Sequence, residues 1–285
     1  MLNVVVMTMV YNDGSNLQRW MRHYQRHVKH LLVIDHGSDD GSTENIAPAE
    51  RLRLPRSPFD DAARVNFVND VQRYFLRHFD AVIYTDSDEL IVPDPHVFTT
   101  ITEYVSSMSS PFSRPVGFNI VHQREKEPAL DPARPILSQR TAFEFRSPMC
   151  KPVIVREPTR WSEGFHASDK PVHADPALWL FHTKWADYEI AINRLRFTRN
   201  MAWSDHALTA GWGAHQRQSE EAHTRERFYE PNAALKKQGR LAYLPAHAEA
   251  NRFNRELVLD ESGFWVVPFF VGRIFASLPY MHDLI

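Results

Sequence analysis

The segment Ala81-Val82-Ile83-Tyr84-Thr85-Asp86-Ser87-Asp88-Glu89-Leu90 decides the fold. Ala81 to Thr85 is a short apolar run of the kind that forms a strand covered on both faces, and a cluster of acids follows at its C-terminal end. Upstream, Asp60 to His78 carries Val68, Val71, Phe75 and Leu76, with Phe79 just beyond, at helical spacing. Before that helix come a weak strand within 51–56, the short strand His30 to Asp35, and the polar loop His36-Gly37-Ser38-Asp39-Asp40-Gly41-Ser42. Earlier still, Leu17, Trp20, Met21, Tyr24 and Val28 mark the inner face of a first helix, for which Ser15 and Gln18 supply a capping box. Residues 2–10 form another doubly covered strand. Strand, helix, strand, helix, strand implies right-handed crossovers and a mainly parallel sheet. Ligands of such sheets collect at the carboxyl ends of the strands, where Asn12-Asp13, Asp35 to Asp40 and Asp86 to Glu89 all fall.

After about residue 110 the pattern turns irregular and proline-rich. Short strands are expected near 115–122, 139–146, 151–156 and 177–182, and helices near 184–202 and 218–238. No repeat and no clean linker interrupts the chain, so residues 1–285 read as one domain with an elaborated C-terminal half. Its 285 residues suffice for a core that needs neither disulfides nor a structural metal. A formal charge of −2 gives no global field for nucleic acid or an anionic membrane, so an anionic substrate needs a local site. The lone Cys150 cannot pair within the chain, which fits a reducing compartment. Residues 1–10 lack a basic leader region and a small-residue cleavage site, and no run approaches the ~20 apolar residues of a membrane span. The expectation is a cytoplasmic protein. The aromatic segment 264–271 is expected to close over the core, with contact to a membrane surface as the alternative.

Two acids one residue apart, just past a buried strand, bring both carboxylates toward one point. Their mutual repulsion is relieved by a divalent cation. Mg²⁺ or Mn²⁺ uses only one or two protein carboxylates and completes its shell with phosphate oxygens and water. Such an ion stabilises the charge that grows on a departing diphosphate. A bare Asp-x-Asp is common in solvated turns; its position after a strand turns the reading toward function.

Tyr11-Asn12-Asp13 after the first strand, the helix bearing Trp20 and Tyr24, and Leu32-Val33-Ile34-Asp35-His36-Gly37-Ser38-Asp39-Asp40-Gly41-Ser42 resemble the opening of GT-A-fold, family 2-like glycosyltransferases. Asp86-Ser87-Asp88-Glu89-Leu90 looks like the Asp-x-Asp-Glu-Phe version found in a subgroup close to the family 92-type enzymes. The likeness covers about residues 3–95. Beyond it, Lys151 to Val155 resembles a Lys-led strand, Gly164-Phe165-His166 a Gly-x-His turn, and Phe181-His182-Thr183-Lys184 a His-x-x-Lys segment. The resemblance implies a GT-A (Rossmann-like) α/β fold with a helix-rich C-terminal half, residues 1–110 binding the nucleotide sugar and 111–285 the acceptor. It implies a hexosyltransferase taking a sugar, commonly from UDP, to a glycan, lipid-linked or other hydroxyl acceptor. Tyr11, Asn12 and Asp13 would border the nucleoside, Asp35 and Asp39 would hydrogen-bond base or ribose, and Asp86 would face ribose and metal. Asp88 would bind Mn²⁺ or Mg²⁺ directly, joined by His182, which an apolar strand delivers, or else by His166. Lys151 and Lys184 are either phosphate contacts or solvated charges. Glu163 and Asp169 are the candidate catalytic bases, in a loop that would line the acceptor side. Trp161 and Trp212 are candidate platforms for a sugar face.

Two other readings compete. Asp86-Ser87-Asp88 after an apolar strand approximates the nucleophile motif of haloacid-dehalogenase-like phosphatases, although that class needs an acidic pair downstream and the pair here, Asp39-Asp40, lies upstream. The non-enzyme alternative is a module that binds nucleotide or glycan without turnover.

Overall fold

The computed structural model describes residues 2–285, and the first third follows the alternation of the sequence. The strands, in chain order, are β1 Val4–Val10, β2 His30–Asp35, β3 Glu50–Arg53, β4 Ala81–Tyr84, β5 Glu89–Pro93, β6 Phe112–Val121, β7 Ala142–Arg146, β8 Ile154–Val155, β9 Ala174–His182, β10 Val258–Leu259, β11 Trp265–Val266 and β12 Val271–Ala276. The helices are α1 Gly14–Tyr24, α2 Asp61–Phe75, α3 Ile101–Ser107, α4 Tyr188–Arg199, α5 Asp205–Thr209, α6 Glu220–Thr224, α7 Glu230–Gln238 and α8 His247–Arg255.

The heart of the sheet is parallel, in the order β3-β2-β1-β4. Side chains of these strands alternate between two cores. Val4, Val6, Leu31, Val33, Ala81 and Ile83 face one, with Leu17, Trp20 and Tyr24 of α1. Val5, Met7, Leu32, Ile34, Val82 and Tyr84 face the other, with Val65 and Val68 of α2. That is why the strands read as unbroken apolar runs: both faces are covered. Each buried Val, Leu or Ile contributes roughly 1.5–3 kcal/mol to holding a helix on its face.

The C-terminal half continues the same sheet. β8 lies antiparallel beside β4, and the long β6 pairs with β8, β7 and β9. β9 in turn carries β5 as an antiparallel neighbour, and β12 closes the far edge on β7. The structure is thus α/β with a parallel centre and helices on both faces, extended by mixed strands. Gly117 of β6 is required there, because a Cβ would lie 2.1 Å from the Met149 carbonyl carbon.

Three expectations change. The capping box at Ser15 does not form: α1 begins at Gly14 with Asp13 at the cap position, and no side chain caps its backbone. Asp13 turns its carboxylate instead to Asn16 and to the Ser87 hydroxyl, 2.8 Å away. Trp161 is buried and donates its indole N–H to the Pro152 carbonyl, so it packs the core and offers no face to a sugar. The apolar tail divides: Phe270 is buried and β11 pairs with β10, while Phe269 stays exposed. No helix among the described residues is long and apolar enough to cross a membrane.

Candidate metal and nucleotide-sugar site

Helix α1 fixes the acidic segment through the polar tips of its apolar face. Trp20 Nε1 donates to Thr85 Oγ1 at 2.8 Å. The Tyr24 hydroxyl donates to the Glu89 carbonyl and accepts from the Ile91 N–H, at 3.1 and 3.0 Å. Asp86 to Asp88 therefore form a short link between β4 and β5 whose two ends are both anchored in the core.

Strand register then brings the histidine. β5 and β9 pair with Glu89 opposite His182, and β6 and β9 pair with Asn119 opposite His182. The His182 ring nitrogen Nδ1 lies 2.8 Å from Asn119 Oδ1, an acceptor, so Nδ1 carries the proton. Nε2 is left with its lone pair, 3.5 Å from Asp88 Oδ2. The Thr183 N–H and hydroxyl both donate to the Asp88 carbonyl, which locks the neighbouring backbone. Asp88, Glu89 and His182 each offer one atom within 4.8 Å of the others. Burial works to raise the Asp88 carboxyl, but His182 in its protonated form and then Lys184 outweigh it and bring it down to about 2.

Asp86 stands outside this trio. Lys151 Nζ lies 3.0 Å from its Oδ2, while Arg64 Nη1 and the Tyr84 hydroxyl donate to Oδ1 at 3.1 and 3.2 Å. Burial is overridden there by Lys151 and Arg64, which hold Asp86 well below the usual carboxylate range. Both carboxylate oxygens of Asp86 thus face cations of the protein, and the group of side chains that could hold an ion comprises Asp88, Glu89 and His182 without it. Lys151, one of the two lysines the sequence left open, is buried and also pairs with Glu89 at 2.5 Å. Glu89 is the acid that sequence reading passed over as a ligand. Leu90 to Val92 just after it form a buried apolar run, which was the available sign of a strand beginning there.

These groups line a cleft of ≈ 700 Å³ at the carboxyl edge of the parallel strands. Tyr11 and Asp13 reach it, with the Arg56 guanidinium 3.7 Å from the centre of the Tyr11 ring. Asn12 and Asp39 face each other instead: Asn12 Nδ2 donates to Asp39 Oδ1 at 2.6 Å, and the Asp39 N–H returns a bond to Asn12 Oδ1. Asn12 has φ 47°, a left-handed conformation that this exchange holds. Asp35 is fully buried and does not line the cleft. It accepts from the Ser38 N–H, the Thr43 hydroxyl and two nitrogens of Arg51, so it builds the loop that presents Asn12 and Asp39.

Of the two candidate bases, Glu163 lines the cleft, and no ion pair or side-chain hydrogen bond occupies its carboxylate among the described residues. Asp169 does not line it: its Oδ1 accepts from the Thr159 hydroxyl and the Arg160 N–H, a structural corner. His166 and Trp212 also line the cleft. His166 is tied through Nδ1 to the Pro148 carbonyl at 2.7 Å and is not part of the Asp88, Glu89 and His182 group. Lys184, the other open lysine, is held below its usual range by burial, and it forms no ion pair among the described residues. Arg194 of α4 was missed altogether. It donates to the Asn12 and Tyr11 carbonyls at 2.6 and 3.2 Å and so grips the first loop from the far half of the chain.

No protein-family model and no curated protein matches the chain. Among solved structures, the mannosyltransferase PcManGT from Pyrobaculum calidifontis, in complex with GDP-Man and Mn²⁺, shares 18% identity with a TM-score of 0.27. The overlap spans 43% of this chain and 36% of that one, little more than a third of the mannosyltransferase's length. An overlap of that extent decides neither fold nor chemistry, and both rest on the chain's own geometry.

Proposed function

We propose that the chain is a metal-dependent glycosyltransferase that moves a sugar from a nucleotide-sugar donor, UDP-linked by its sequence resemblance, to a hydroxyl acceptor. The observation that carries this reading is the convergence of Asp88, Glu89 and His182 at the sheet edge, with the His182 lone pair turned to Asp88 by Asn119. Two oxygens and an imidazole nitrogen suit Mn²⁺, and a hydrogen-bonded outer ring nitrogen is the usual support of a metal-binding histidine. The 3.5 Å gap between His182 and Asp88 is long for a hydrogen bond and comparable to the ~3 Å between adjacent ligands of one such ion. The ion would act as a Lewis acid on the departing diphosphate.

The residues supply the rest. Lys184, beside Asp88 and without an acid partner, balances the diphosphate charge. Lys151 and Arg64 keep Asp86 ionised and oriented, so that it can accept from a ribose hydroxyl. Asp13 and Tyr11 border the nucleoside. Glu163, the uncommitted carboxylate of the cleft wall, takes the proton of the acceptor hydroxyl as general base, which favours an inverting displacement. One sheet running through both halves supports a single domain, with the donor on residues 1–110 and the acceptor on 111–285.

The phosphatase reading requires Asp86 as a free nucleophile, and three donors already occupy it. The binding-module reading differs from ours only in turnover. The test is a thermal-shift panel of UDP, GDP and their sugars with and without Mn²⁺, followed by donor hydrolysis. Ligand bound only to the folded state raises its apparent stability by mass action. One nucleotide is expected to shift melting, more so with Mn²⁺, and Asp88→Asn and His182→Ala to abolish the metal increment. Hydrolysis is expected to fall by about 10²-fold or more in both variants. A metal increment that survives both substitutions removes the proposal.

A further inference from the structure

The cleft holds more positive charge than its internal ion pairs use. Arg64 and Lys151 are matched by Asp61, Asp86 and Glu89. Arg194 is spent on carbonyls. Around Trp185, next to the metal trio, the balance changes. The Lys184 ammonium and the Arg227 guanidinium each lie 5.1 Å from the Trp185 ring. Arg146, also on the cleft wall, stands 5.9 Å from the ring of Phe269, which lines the cleft while 66% exposed.

These guanidiniums are incompletely satisfied. The acid nearest Arg227 is Glu226 at 4.0 Å, and the Arg227 Nε is buried with no hydrogen-bond partner. Arg146 spends Nε and Nη2 on a single oxygen of Glu144, which leaves Nη1 unbonded. Burial, and then the neighbouring charge of Arg146, pull Arg227 below its usual range. Two like charges gathered in a partly desolvated cleft are costly until an anion joins them. Lys184 already has a task beside the donor diphosphate; Arg227 has no close acid, and Arg146 keeps Nη1 free beyond its pair with Glu144.

We propose that Arg146 and Arg227 hold an anionic group of the acceptor, so that the acceptor is an acidic saccharide bearing a phosphate or a carboxylate. The guanidinium fork matches the geometry of either oxyanion. Phe269, at the mouth of the same cleft, offers the apolar face against which a sugar ring packs. The word acceptor rests on the glycosyltransferase reading; the anion site itself rests on the arginines.

The experiment is calorimetry on the full chain with Mn²⁺ and the nucleotide selected by the panel above. Hexose 6-phosphates and hexuronic acids are titrated against their neutral parent hexoses and against inorganic phosphate. Acidic sugars are expected to bind at least about tenfold tighter than neutral ones. That preference should weaken between about 50 and 300 mM salt, since the charges are partly open to solvent. R227Q and R146Q should each lose about tenfold in acidic-sugar affinity while R227K retains most of it, with nucleotide affinity held within about twofold. R227K and R146Q, judged by their melting, stand in if R227Q does not fold. Equal binding of neutral and acidic sugars overturns the proposal, as does inorganic phosphate binding as tightly as the sugar phosphates. An equal loss of nucleotide affinity in R227Q also overturns it, by giving the pair to the donor diphosphate. Acidic-sugar binding lost in R227Q, in a protein that binds no nucleotide, would keep the anion site and remove the glycosyltransferase reading.

Discussion

Lys151 is the residue on which the acidic segment depends. A buried ammonium between Asp86 and Glu89 offsets two carboxylates that burial would otherwise make costly to ionise. Lys151→Met keeps the length of the side chain and removes the charge. Losing one partner of a buried ion pair costs about 3–5 kcal/mol, and urea unfolding should show a loss of that size. A bound metal ion would replace part of the missing charge, so the deficit should shrink in Mn²⁺. This pairing was not legible in the sequence, because Lys151 lies more than sixty residues from Asp86 and nothing local distinguishes it from a solvated lysine. The place of His182 was legible for the opposite reason: the apolar run Leu178-Trp179-Leu180-Phe181 announces a buried strand, and His182 is the first polar residue at its end. Between the two candidate bases the sequence offered no criterion. Glu163 and Asp169 share one loop, and only the fold turns the first into the cleft and the second onto Thr159.

Among the elements, α1 shows how packing and protonation are coupled. Its inner face buries Leu17, Trp20 and Tyr24, as the helical spacing implied, and also His23. The His23 Nε2 bonds the Ile91 carbonyl at 2.8 Å, which places the proton on that nitrogen. Burial, and then the neighbouring His27, lower His23 from 6.5 to about 3. The unfolded chain therefore binds a proton between about pH 6.5 and 3 that the folded chain refuses, so stability is full above 6.5 and falls as pH drops below it. Each pH unit in that window costs about 1.4 kcal/mol. His23→Gln retains a donor for Ile91 and does not titrate; its unfolding free energy should be flatter than that of the parent between pH 6.5 and 4. The same element explains a misreading. Ser15 followed by Gln18 has the spacing of a cap, but Asp13 takes the cap position and faces Ser87, a pull from across the fold that local pattern does not contain. β5 went unread for a related reason: Glu89 looks like the last acid of a loop, and only its pairing with β9 makes it the first residue of a strand.

At the scale of the whole molecule, a contact between the two halves of the chain shapes the cleft wall. Arg194 on α4 holds the carbonyls of Tyr11 and Asn12, about 180 residues earlier, and its Nη2 lies 3.9 Å from Asp13. The loop after β1 is thereby kept in the shape that, on the proposed reading, borders the nucleoside. Arg194→Gln should weaken nucleotide binding by about tenfold, since a loop that must order on binding charges that cost to affinity. Melting without ligand should change little, because Arg194 is partly exposed and bonds to loop carbonyls rather than to the core. Equilibrium dialysis with the preferred nucleotide decides it. Parallel order in the first third was readable from three apolar runs separated by amphipathic helices. In the irregular remainder the short strands near 115–122, 139–146, 151–156 and 177–182 were readable as elements, but their order and antiparallel pairing were not, since Ile154–Val155 meets β4 and β6 only through the tertiary fold.

The placement of His182 on β9 also fixes when the site can exist. Asp88 and Glu89 leave the ribosome early, but their third companion follows more than ninety residues later, and β9 must slot between β5 and β6 before the imidazole arrives. A nascent chain that stops short of β9 thus lacks one of the three side chains proposed to hold the ion. On the proposed reading, ion capture would come late in folding, once distant stretches of polypeptide have found one another, a slow class of event.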